Sequence, residues 1–133
     1  MRLYLLFISA IFLSILFSCK SSNNGNTATI QGKWRSLWEK DMTLRLELDT
    51  TNTFKVILTR TGQVHTNIGW YDTEGDVFIL KDSLDFPLPV CNLTDTGRYN
   101  FTIHKDTLTF KVIDDVCDRR ASALQLERFV RVQ

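Results

Sequence analysis

Apolar and polar residues alternate without a fault through Met42-Thr43-Leu44-Arg45-Leu46-Glu47-Leu48, the period of a strand with one face in a core and the other in water. The same period returns in Phe54–Arg60, Val64–Tyr71, Val77–Leu80, Arg98–His104, Thr107–Ile113 and Leu126–Val132. Polar runs rich in turn-forming residues separate several of them: Asp49-Thr50-Thr51-Asn52, Thr61-Gly62-Gln63, Asp72-Thr73-Glu74-Gly75-Asp76 and His104-Lys105-Asp106. With Ile30–Ser36 as the first, there are about eight strands, most joined by hairpins, and the predicted fold is an all-β, antiparallel barrel or closed sandwich.

Two segments break the alternation. Lys81–Gly97 carries both prolines, Pro87 and Pro89, which cannot donate to a strand ladder, so a long loop is expected there. Asp115–Leu124 has no period of two and contains Arg119, Arg120, Ala121 and Ala123, which suits a short helix before the last strand. Asp115 is placed to cap it by accepting hydrogen bonds from free backbone N–H groups.

The amino end is different in kind. Behind Arg2 runs LYLLFISAIFLSILFS, an apolar stretch with the layout of an export signal and shorter than the roughly 20 residues of a permanent span. It ends in Leu16-Phe17-Ser18-Cys19, which resembles the lipobox of bacterial lipoproteins. That resemblance implies cleavage after Ser18, lipid on Cys19 and a domain held to a membrane outside the cytoplasm. The expected organisation is a signal over 1–18, a polar tether over 19–29 and one barrel domain over 30–133.

With Cys19 given to lipid, Cys91 and Cys117 remain as an even pair, and in an exported domain they are expected to form a disulfide. Neither has a second cysteine or histidine at metal-ligand spacing, so no metal is expected. Sixteen Lys and Arg against fifteen Asp and Glu give no basic stripe. A nucleic-acid partner is therefore not expected, and the only membrane contact implied is the lipid.

Gly32-Lys33-Trp34, at the start of the first strand, resembles the glycine-x-tryptophan signature of lipocalins. Farther on, Cys91, Gly97, Tyr99, Asp106-Thr107-Leu108, Asp115 and Cys117 resemble small secreted bacterial lipocalin-like proteins. The resemblance implies a barrel closed at one end by Trp34 beneath an arginine of the last strand. Strand parity nominates Arg128, because Leu126, Arg128, Val130 and Val132 share a face.

Parity also nominates an inward set that includes Leu44, Leu46, Leu48, Val56, Ile68, Leu108, Phe110 and Val112, with Trp70, Tyr99 and Phe101 among the aromatics. Whether that interior is filled or hollow is left open by the pattern. His65 and His104 fall on polar faces or turns, no serine sits in a nucleophile elbow, and the acids around Gly75 lack calcium-loop spacing. Catalysis and cofactors are therefore not expected. The leading functional expectation is a monomeric binder of a small apolar or amphipathic molecule, contacted by Trp38, Trp70, Tyr99 and Phe101. The rival is a protein-binding module, such as an inhibitor of an envelope enzyme of the lysozyme type, with a filled interior and a working loop at Lys81–Gly97. A barrel enzyme would need an inward ionisable group, for which only Arg45, Arg60 and Arg128 are arguable.

Overall fold

The computed structural model describes residues 29–37, 41–83 and 91–133. Eight strands follow one another around a closed barrel: β1 (Gly32–Ser36), β2 (Met42–Leu48), β3 (Thr53–Arg60), β4 (Gln63–Glu74), β5 (Val77–Asp82), β6 (Thr96–His104), β7 (Thr107–Asp114) and β8 (Arg128–Arg131). Each strand pairs antiparallel with the next, and β8 returns to β1, so the sheet has no open edge. A short helix, α1 (Asp118–Leu126), lies between β7 and β8. The all-β antiparallel barrel with a short helix before the last strand is thus the fold of this chain.

The turns set the register. Thr61 and Gly62 both have positive φ, 49° and 79°, in the two-residue connection between β3 and β4, the backbone that a tight hairpin requires. Asp49 stabilises the turn after β2 by accepting hydrogen bonds from the backbone N–H groups of Thr51 and Thr53, each at 2.9 Å. At that end of the barrel the interior is filled. Tyr71, Phe78, Phe110 and Phe129 form a chain of ring contacts with centroids 5.1–6.0 Å apart. Trp34 is fully buried and donates from Nε1 to the Ile30 carbonyl at 2.8 Å.

The arginine over Trp34 is Arg131, not Arg128. Its guanidinium carbon stands 4.1 Å from the ring centroid, and its N–H groups donate to the carbonyls of Gln31 and Thr29 at 2.9 and 2.6 Å. Parity misled because Leu126 belongs to α1 and is exposed, whereas Phe129 is fully buried and fixes which face of β8 looks inward. Gly32 contributes to the same closure. Its φ is +133°, and a Cβ there would lie 2.6 Å from Arg131 Nη1.

A second correction concerns β4. Its inward side is His65, Asn67, Gly69 and Tyr71, while Val64 and Trp70 point to solvent, each 59% exposed. The reason lies across the ladder, where Phe54 pairs with Gly69 and its ring fills the space a Cβ at Gly69 would need. Placing Trp70 inward would put the polar face of β3 inside as well. Met1–Ser18, Cys19, Trp38, Pro87 and Pro89 lie outside the described residues. Among the described residues no helix is long and apolar enough to cross a membrane.

Candidate functional site

The barrel is filled only on one side. At the end where β2 and β4 begin and β3 and β5 finish, a partly open cavity of about 260 Å³ remains beneath α1. Leu44, Leu46, Val56, Leu58 and Leu80 line it from the strands and Leu124 from the helix. Phe54, Phe78 and Phe129, all buried, separate it from the closed end. Apart from polar side chains on one side, the exposed walls are apolar, so a guest would be held chiefly by removing its own apolar surface from water. A larger hollow of about 540 Å³ along β1, β2 and β8 is bordered by Lys33, Arg35, Arg45, Glu47 and Arg131, and these long charged side chains make it a poor match for an apolar guest.

On one side the cavity has a polar wall made of His65, Asn67, Asp82 and Arg120. Arg120 projects from α1 and is buried. Its Nε and Nη2 donate to the Asp115 carboxylate at 2.7 and 2.8 Å, Nη1 donates to Asp82 at 2.9 Å, and Nη2 also reaches the Asp95 carbonyl at 3.3 Å. Asp115 further accepts the Tyr99 hydroxyl and, at 2.9 Å, the Cys117 backbone N–H. Gly97 leaves room for this cluster, since a Cβ there would collide with the Asp115 carboxylate.

Burial opposes the charge on Asp115, yet hydrogen bonds from Arg120, Tyr99 and the Cys117 amide hold its carboxyl below the usual range. Burial likewise opposes the Arg120 charge, and pairing with Asp115 and Asp82 outweighs it, so the guanidinium pKa rises. The Tyr99 hydroxyl is pushed far up, first by burial and then by its bond to Asp115. The cluster is therefore a locked structural network that pins α1 over the cavity. The Cys91–Cys117 disulfide, with Cα atoms 5.3 Å apart, adds a covalent tie beside it, and Cys91 itself lines the cavity.

Of the residues expected to meet a ligand, Tyr99 is fully buried and spends its hydroxyl on Asp115, away from the cavity wall. Phe101 packs half-buried against the core, Trp70 points outward, and Trp38 lies outside the described residues. The ionisable groups that line the cavity are His65, Asp82, Arg119 and Arg120 rather than Arg45, Arg60 or Arg128. Their signal in the sequence was faint: His65 and Asn67 share parity with Gly69 and Tyr71, and only the Phe54–Gly69 pairing shows that this parity faces in. Asp115 does not cap α1 directly, because the N-cap position is Cys117, whose amide it binds. Among the described residues no cluster of His, Cys, Asp and Glu is arranged to hold a metal ion. In comparisons with known proteins the chain matches no family model, no curated protein and no solved structure.

Proposed function

We propose that the protein is a non-catalytic binding protein of the bacterial cell envelope, a lipocalin-like barrel tethered through lipid on Cys19, that holds a small apolar or amphipathic molecule in its cavity. The observation that carries this is the apolar space of about 260 Å³ under α1. An engineered cavity of about 150 Å³ is already enough to bind benzene. A protein-binding inhibitor would gain nothing from an empty interior, which counts against the rival. The envelope setting rests on the apolar leader and Leu16-Phe17-Ser18-Cys19, and it agrees with an oxidised Cys91–Cys117 pair.

The test is a titration of the full chain with n-octanol followed by methyl NMR. With about nine non-hydrogen atoms in n-octanol, a net ligand efficiency of about 0.5 kcal/mol per atom corresponds to a dissociation constant of about a millimolar or tighter. Resonances of Leu44, Val56 and Leu58 should shift and saturate. Shifts confined to outward residues such as Val64, or none up to the solubility of the probe, would overturn the proposal.

A further inference from the structure

The polar wall contains one group that the fold leaves unserved. Asn67 lies on β4 with its side chain in the cavity wall, and its Nδ2 donates to Asp82 Oδ1 at 2.9 Å. Asp82 is paired with Arg120 through its other oxygen, so its carboxylate serves Asn67 as an acceptor, and the amide orientation of Asn67 is fixed by that requirement. Its Oδ1 is thereby turned away from Asp82, is buried, and has no hydrogen-bond partner among the protein's own groups. Among the buried side-chain polar atoms described, it stands alone in this. A buried acceptor without a donor is a destabilising feature that native folds rarely keep.

We infer that the cavity's occupant supplies the missing donor: a slender apolar molecule with a hydroxyl or N–H group that enters the barrel and bonds to Asn67 Oδ1 through a small rotation of the amide. This rests on the cavity-binding proposal above and specifies the ligand class for it. Acceptor-only head groups fit badly, because they leave Oδ1 as it is and add a second unsatisfied acceptor beside it. Carboxylates fit worse inside, because Arg120 is already engaged by Asp82 and Asp115. An acid would have to remain at the mouth, where Arg119 borders the cavity.

Three probes of equal chain length separate these cases: n-octanol, methyl hexyl ketone and octanoate, titrated at neutral pH into the full chain and into Asn67→Leu. Octanol should bind the natural protein at least about tenfold more tightly than the ketone, the factor expected of one added hydrogen bond that also relieves an orphaned acceptor. Octanoate should be weaker than octanol, and Asn67→Leu should bring octanol and ketone to equal affinity. If the variant does not fold, the octanol-to-ketone ratio of the natural protein and a shift of the Asn67 side-chain amide resonances decide the matter. Equal binding of octanol and ketone, or tightest binding of octanoate, would overturn the donor inference while leaving the cavity proposal standing. Failure of all three probes to bind would overturn both.

Discussion

Arg131 and Arg128 stand three positions apart on β8 and have opposite surroundings. Arg131 covers the Trp34 ring and bonds two carbonyls of the entering chain, whereas Arg128 is exposed. Loss of the stacking and the two bonds predicts that Arg131→Ala destabilises the barrel by about 1–3 kcal/mol, while Arg128→Ala changes stability by no more than about 0.5 kcal/mol. Urea midpoints of the two variants provide the check, and equal losses would show that the Trp34 closure carries no weight. Titrating residues give a second expectation. Asp49 is drawn down to about 2, chiefly by hydrogen bonds from Thr53, and Asp115 is also held below its ordinary 3.8. Depressed carboxylates stabilise the fold above the unfolded value, and that contribution disappears as pH falls through the folded one. Tyr99 has the opposite sign: the unfolded hydroxyl ionises near 10.0 and the folded one stays protonated, so stability declines as pH rises past that value. Urea midpoints measured against pH should form a plateau that falls below about pH 4 and again above about pH 10. A profile flat beyond pH 10 would contradict the buried Tyr99–Asp115 bond.

Strands and turns were legible because their cause is local. The unbroken alternation of Met42–Leu48 is β2, and Thr61-Gly62 makes the turn its composition announces. The existence of α1 was legible too, although it begins at Asp118, since Cys117 is fixed by the disulfide and extended in backbone. What the sequence did not reveal was which side of β4 and β8 faces in. That choice is made across the ladder, by the Phe54 ring over Gly69 and by burial of Phe129, and neither is visible within the strand concerned. The candidate site suffered most, because its polar members sit on the side of β4 that carries the less apolar residues. Asp82 and Arg120, 38 positions apart, meet only once the barrel has closed. The disulfide pairing was legible by elimination alone. It anchors α1 and the segment around Cys91 together, and replacing both cysteines by serine should lower stability by about 3 kcal/mol while leaving the strand content unchanged. Circular dichroism with urea titration measures both; loss of the β signal would mean that the barrel itself depends on the bond.

At the scale of the molecule, an up-and-down barrel is packed at the end that Trp34 and Arg131 close and hollow at the end under α1. The asymmetry follows from residue size: aromatic rings occupy the closed half, and leucine and valine line the other. The buried Arg120 cluster and the disulfide hold the helix over that hollow half, so the space does not depend on a mobile lid to exist. Apolar cavities of comparable size accept xenon. A crystal of the full chain pressurised with xenon therefore tests the hollow interior most directly. The expected result is xenon density among Leu44, Val56, Leu58 and Leu124 with the walls unmoved. Side chains collapsed into that space, with no xenon inside the barrel, would contradict it.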